Sequence, residues 1–347
     1  MNSCARAHCI DSVSRVANNP STVRRAAEGG ESSANRPLRA GPPSPSQTSS
    51  RDPGELKSSR PRVAIVATHF GHVPIWLPAF MRSCRENPDV RWLIYTDIEV
   101  AGPVPDNVAI KPMQLHEFNR RCTETLGATI DVQPTFLKKL SDLKPAYGLV
   151  FADDLRSFDF WAYSELDIIW GDIRYFMTDG LLAEHDLVSA THYKLCGHFT
   201  LFRNNERMNR AFEIVPDAIR IMADPRHFRL DERPFTRHLR AEDSSPESFP
   251  RIYWDPQLTI SAEYQRALPN GPGGNLWWCR GKTYDAESHE LMYLHFHKLK
   301  KHMYSINFGF EDSPATFMIN RRGVHCRRRL RRSSVREAAD ISTAAVV

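Results

Sequence analysis

Residues 158–172 read FDFWAYSELDIIWGD. The aromatic, apolar run Phe160-Trp161-Ala162-Tyr163 has the pattern of a short buried strand. It ends at Ser164-Glu165-Leu166-Asp167, and Gly171-Asp172 marks a turn. Side chains alternate faces along an extended chain, so the carboxylates of Glu165 and Asp167 point the same way. At the end of a buried strand, such a pair faces the crevice in which open α/β sheets bind ligands. Like charges this close repel unless a cation lies between them. Carboxylate oxygens suit Mg²⁺ or Mn²⁺, which one or two carboxylates and substrate phosphates hold. The plainer alternative leaves Glu165 in solvent and Asp167 capping a turn.

On the N-terminal side, VAIVATHFG (63–71) reads as a continuous apolar strand that breaks into a loop. A helix follows, with Ile75, Leu77, Phe80, Met81 and Cys84 on one side, and Asn87-Pro88 closes it. VRWLIYTD (90–97) and VAIKPM (108–113) are two further strands. Strand–helix–strand with short links implies parallel neighbours and an α/β fold. After a polar connection, residues 135–155 carry Phe136, Leu137, Leu140, Leu143, Tyr147, Leu149 and Val150 at helical spacing, and one polar side holds Lys138, Lys139, Asp142 and Lys144. A solvated amphipathic face is the plain account of that side. Towards the C-terminus come a strand at 187–190, an apolar strand at 199–202 after Gly197-His198, and an amphipathic helix at 206–222. Near 290–304, Tyr293, His295 and His297 alternate with Leu294 and Phe296, which puts both histidines on one face of a strand.

The chain has 347 residues, 41% hydrophobic and 25% charged, as suits a globular protein. No apolar run approaches the ~18 residues of a membrane span. Seven cysteines, with no CxxC pair, favour a reducing compartment, and a cytoplasmic location is expected. The formal charge of +5 resides at the ends: +4 over residues 1–60 and +6 over 321–347, leaving −5 between. Residues 1–60, rich in Ser, Pro and Arg, cannot bury enough apolar surface to offset their ordering entropy and are expected to be disordered. They lack a secretory apolar core, and an organelle transit peptide or an over-long translation start accounts for them. A single domain over 61–312 and a basic tail over 313–347 complete the expected organisation.

The order of these blocks resembles the nucleotide-sugar glycosyltransferases of the GT-A fold, and within them a bacterial group acting on surface polysaccharide. The shared blocks are Phe70-Gly71, Tyr95-Thr96-Asp97, Asp142-Leu143-Lys144-Pro145-Ala146-Tyr147-Gly148, Glu165-Leu166-Asp167 with Gly171-Asp172, Gly197 to Asn204, and His295 to Lys298. The likeness spans about residues 62–310. It implies a mixed, mostly parallel sheet flanked by helices, a divalent cation, a UDP- or GDP-sugar donor and a glycan or glycoconjugate acceptor. The family's first acidic residue is an aspartate where this chain has Glu165, one methylene longer, so Asp167 is the direct ligand and Glu165 can act through water.

The resemblance also implies roles. A late histidine, His295 or His297, completes the cation site. Lys298 or Lys300 holds phosphate as a point charge. Thr68 and Phe70 supply a hydrogen bond and a stacking face to the base, Asp97 meets the ribose or base, and Asp142 and Lys144 grip the donor. The acceptor meets the donor near Gly197-His198 and Asp231-Glu232; the reaction is either retaining or inverting, and if it inverts, Asp231 takes the acceptor hydroxyl's proton. Tyr284 to Lys300, with the glycines of GPGG (271–274) and Trp277-Trp278, either close as a lid or form a plain hairpin with both tryptophans in the core.

Three other accounts remain. A sugar nucleotidyltransferase needs a basic, Gly-rich loop after the first strand, and THFGHVP has no Lys or Arg. A catalytically degenerate scaffold would bind without turnover. The tail Arg321–Arg332 would bind anionic membrane or RNA phosphates, although no specific nucleic-acid recognition is expected.

Overall fold

The computed structural model describes residues 60–326, apart from 192, 243–249, 256–257 and 271. The segment expected to be disordered lies, but for Arg60, outside the described residues. The first eight strands are β1 (Val63–His69), β2 (Val90–Thr96), β3 (Val108–Pro112), β4 (Phe160–Ser164), β5 (Ile168–Trp170), β6 (Leu187–Ser189), β7 (Phe199–Arg203) and β8 (Ile252–Trp254). Seven of them form one sheet in the order β3-β2-β1-β4-β7-β6-β8. From β3 to β4 the pairing is parallel, β7 runs antiparallel to both its neighbours, and β6 and β8 are again parallel. The expected mixed, mostly parallel sheet flanked by helices is present.

Alternation along the central strands builds two cores, one on each face. Val63, Ile65, Trp92, Ile94, Phe160 and Ala162 join one, and Ala64, Val66, Leu93, Tyr95, Trp161 and Tyr163 join the other. Strands buried on both faces read as unbroken apolar runs, which is why these were visible in the sequence. The C-terminal ends of β1, β2 and β4 then share one edge of the sheet, and the site is built there.

Helices differ more from expectation. α1 (Leu77–Arg85) covers the first core. α2 (Leu115–Leu126) lies in the stretch expected to be a polar connection; it buries only Phe118, Cys122 and Leu126, a stripe too narrow to stand out. Its start was nonetheless written in Gln114 and Glu117, which form a reciprocal capping box. The single helix expected over 135–155 is instead a chain of short turns, at 134–139, 140–143, 144–146, 147–150 and 152–155. Pro145 removes a helical donor and crowds the carbonyl of Ser141, so a continuous helix cannot pass. The helix expected at 206–222 is likewise split in three.

The C-terminal third adds β9 (Leu276–Cys279), β10 (Lys282–Tyr284), β11 (Glu290–Leu291), β12 (Tyr293–His295), β13 (Ser305–Ile306), β14 (Thr316–Asn320) and β15 (Gly323–His325). All but β12 form a second sheet in the order β11-β10-β9-β14-β15-β13. Two expectations fall with it. The domain does not stop at 312, because β14 pairs with β9 and Phe317 stacks on Trp278 at 4.7 Å; Arg321 and Arg322 sit in the β14–β15 turn rather than in a tail. Nor do the tryptophans belong to a lid: Trp278 is fully buried and donates from its indole N–H to Trp170 O at 3.0 Å. Among the described residues no helix is long and apolar enough to cross a membrane.

Candidate functional site

Three segments converge at the end of β4. The chain bends at 165–167 before β5, so Glu165 and Asp167 face one side while Leu166 packs into the core and its carbonyl accepts the Trp76 indole N–H at 2.8 Å. β12 pairs antiparallel with β5, with His295 opposite Ile168, and Phe296 N–H donates to Asp167 O at 3.2 Å. This pairing delivers His295 to the carboxylates. Gln265 fixes the strand's end by donating to His295 O at 2.7 Å and accepting from Lys298 N–H at 3.1 Å.

His295 Nε2 lies 3.6 Å from Glu165 Oε2 and 3.4 Å from Asp167 Oδ2. Two lysines close the cluster. Lys144 Nζ donates to Glu165 Oε1 at 2.7 Å and to Gly197 O at 2.6 Å. Lys300 Nζ stands 2.7 Å from Asp167 Oδ2. That contact is a close ion pair without hydrogen-bond alignment: Asp167 Oδ2 and His295 Nε2 are both buried and make no hydrogen bond among the described residues.

Charge governs the protonation states here. Burial alone would raise both acids, yet Lys144 holds the Glu165 carboxyl well below its usual range and His295 lowers that of Asp167. Burial would lower His295, but the two carboxylates outweigh it and raise it. The imidazole rings of His198 and His297 stack on His295 at 3.9 and 4.6 Å. His198 is pushed well down by burial and then by charge on His295, and His297 falls to about 4 for the same two reasons.

The residues present fit a hard divalent cation. Glu165, Asp167 and His295 offer ligand atoms all within 4.8 Å of one another, and the atoms without hydrogen bonds are Asp167 Oδ2 and His295 Nε2. Among the described residues, two other groups have similar composition. In one, Asp285 is occupied as a turn acceptor for Glu287 N–H, His289 N–H and the His289 ring. In the other, of Asp142, His227 and Asp231, the first carboxylate is already saturated.

Asp142 departs furthest from its expected role. It is fully buried, not on a solvated face. It pairs with Lys139 at 2.9 Å and accepts from Phe228 N–H at 3.0 Å and Leu230 N–H at 2.8 Å. It cannot grip a donor; it pins the turn that carries Asp231. Lys144, from the same stretch, does reach the site. Asp231 lies 3.8 Å from Lys144 Nζ, and its carboxyl is pushed up to about 7 by burial, against the pull of Lys144. A Cβ on Gly197 would stand 2.4 Å from Asp231 Oδ2, so only glycine admits this approach. Glu232 pairs with Lys194 at 2.9 Å and with Arg229; burial would raise it, but these cations hold it below its usual range, the wrong direction for a proton acceptor near neutrality.

Of the residues expected around the base, Thr68 shares a 2.7 Å hydrogen bond with the Tyr147 hydroxyl. Phe70 is 4% exposed and packs on Phe118, so its ring is a wall and not an open stacking face. Asp97 is exposed and accepts from Gly71 N–H at 2.8 Å; Gly71 has φ +96°, a conformation suited to glycine. Phe70, Gly71 and Asp97 border a cleft of about 400 Å³ that Gln114, Asn119 and Gln133 also line. His198 Nε2 contacts the Tyr293 hydroxyl at 3.0 Å. Lys298 is half-buried, and the lysine that reaches a carboxylate is Lys300.

No curated protein matches the sequence significantly. Similar solved structures include the galactosyltransferase LgtC in complex with donor and acceptor sugar analogues, at 9% identity and a TM-score of 0.36, covering 67% of this chain and 86% of that one. Another is the apo-form glycosyltransferase GlyE of Streptococcus pneumoniae TIGR4, at 13% identity and a TM-score of 0.35, covering 67% of this chain and 54% of that one. Likenesses this slight assign no activity. A family model matches residues 65–327, and the chain belongs to that family, described as Family of unknown function (DUF6625).

Proposed function

We propose that this protein is a metal-dependent glycosyltransferase that moves a sugar from a nucleoside-diphosphate sugar to a glycan or glycoconjugate. The observation that carries this is the convergence of Glu165, Asp167 and His295 at the end of β4, with Asp167 Oδ2 and His295 Nε2 buried and without hydrogen bonds. A divalent cation held there would supply positive charge to the leaving diphosphate. Asp167 and His295 would ligate directly and Glu165 directly or through water, its orientation fixed by Lys144. Lys300 and Lys298 would meet phosphate oxygens as point charges. The cleft beside Gly71 and Asp97 falls within the roughly 300–1,000 Å³ of small-molecule sites and would take the nucleoside. Asp231, facing Gly197 and near neutrality in its titration, would accept the acceptor hydroxyl's proton.

The test is hydrolysis or transfer of a panel of UDP- and GDP-sugars by the full chain, with and without Mn²⁺. Activity that needs Mn²⁺ and falls by roughly 10²–10³ in Asp167→Asn is expected, as for loss of a transition-state charge partner. Full activity in excess EDTA, or in Asp167→Ala, would remove the metal from the account.

A further inference from the structure

The two carboxylates of the cluster already have one ammonium each: Lys144 at 2.7 Å from Glu165 and Lys300 at 2.7 Å from Asp167. A divalent ion entering this buried place therefore meets carboxylates whose charge Lys144, Lys300 and His295 already offset, and it must displace a cation or arrive with an anion. The two lysines are not equally able to leave. Lys144 has a side chain 6% exposed and is tied to Gly197 O as well. Lys300 stands on a single turn, 300–302, its side chain 37% exposed, and its contact with Asp167 lacks hydrogen-bond alignment. The atom it covers, Asp167 Oδ2, is the one that faces His295 Nε2 at 3.4 Å.

We propose that Lys300 is a resident cation that holds the place of the metal and couples metal binding to diphosphate binding. In the ligand-free protein its ammonium neutralises Asp167. On binding of a nucleoside diphosphate with the metal, Lys300 would leave Asp167 for a phosphate oxygen and free the carboxylate to serve as a ligand. The two ligands then assist one another, and linkage requires the assistance to be equal in both directions. No covalent bond is made or broken. This rests on the metal-dependent reading of the site.

Direct Mn²⁺ titration of the full chain, followed by the electron paramagnetic resonance of free Mn²⁺, tests it without any turnover. Wild type should bind Mn²⁺ alone weakly and roughly tenfold more tightly with UDP or GDP present, within the usual span of linked sites. Lys300→Met should bind Mn²⁺ alone about tenfold more tightly than wild type, and nucleotide should add less than it adds in wild type. Lys300→Arg, which keeps the charge, should behave as wild type. A circular-dichroism melt checks folding, and Lys300→Gln replaces Lys300→Met if the latter is unfolded. Lys300→Met binding Mn²⁺ no more tightly than wild type would overturn the role of Lys300 and leave the metal site standing. No Mn²⁺ binding by any form, with or without nucleotide, would overturn both.

Discussion

Replacing Asp142 with alanine removes the centre of a buried network. Lys139, its side chain 4% exposed, would keep only two carbonyl partners, Ile221 O at 2.7 Å and Arg226 O at 3.0 Å. Phe228 N–H and Leu230 N–H would lose their acceptor. Breaking a buried ion pair by deleting one partner costs roughly 3–5 kcal/mol, and the orphaned amides push towards the upper end. At about 2–4 °C per kcal/mol for a domain of this size, Tm should fall by roughly 6–20 °C. Thermal melts and urea unfolding of wild type, Asp142→Ala, Lys139→Met and the double variant measure this. The double variant should recover part of the loss, because no ammonium is left buried and unpaired. A drop of less than about 2 °C in Asp142→Ala, equivalent to under 1 kcal/mol, would refute the claim that this carboxylate holds the 227–231 turn.

Three further predictions follow from the same geometry. Because burial raises Asp231 from 3.8 to about 7, the folded state keeps a proton there that the unfolded chain releases; that stability is present at low pH and lost as pH rises through 7. Wild type should thus lose stability relative to Asp231→Asn between about pH 4 and 7, and turnover should climb through the same upper limit only in wild type; parallel stability curves would count against a buried carboxyl. Gly197→Ala, whose new methyl would meet Asp231 Oδ2 at 2.4 Å, should cost roughly 1–3 kcal/mol in melts and cost less in an Asp231→Ala background; equal costs in both backgrounds would place the clash elsewhere. Phe317→Ala, which opens the buried stack on Trp278, should destabilise the whole domain by roughly 3–5 kcal/mol with one cooperative transition; a separate early transition would mean that the second sheet unfolds on its own.

The parts of this protein legible in its sequence are those where local pattern and burial agree. β1, β2 and β4 are buried on both faces, so their apolar runs stood out, and Glu165 and Asp167 marked the end of the central strand. His295 was found because it lies on an alternating stretch. What was not legible depends on contacts between distant segments. That Lys139, Asp142 and Lys144 are interior, not a solvated face, follows from Phe228, Leu230, Glu165 and Gly197 closing over them, up to 88 residues away. The second sheet was hidden because its strands are two to five residues long, too short for alternation to register. Trp277-Trp278 beside a glycine run is equally the mark of a hinge and of a strand entering a core; only the pairing of β9 with β14 decides between them. Lys300 needed the turn after β12 to bring it back onto Asp167, which spacing alone does not specify.

The central claim is that Glu165, Asp167 and His295 hold a divalent cation. Crystals grown with Mn²⁺ and a nucleoside diphosphate, measured at the manganese absorption edge, test it most directly. The account predicts one anomalous peak bonded to Asp167 Oδ2 and His295 Nε2, beside Glu165, with Lys300 Nζ moved away from the carboxylate. A peak at Asp285–His289 or at Asp142–Asp231 instead, or none with nucleotide bound in the cleft, would contradict it.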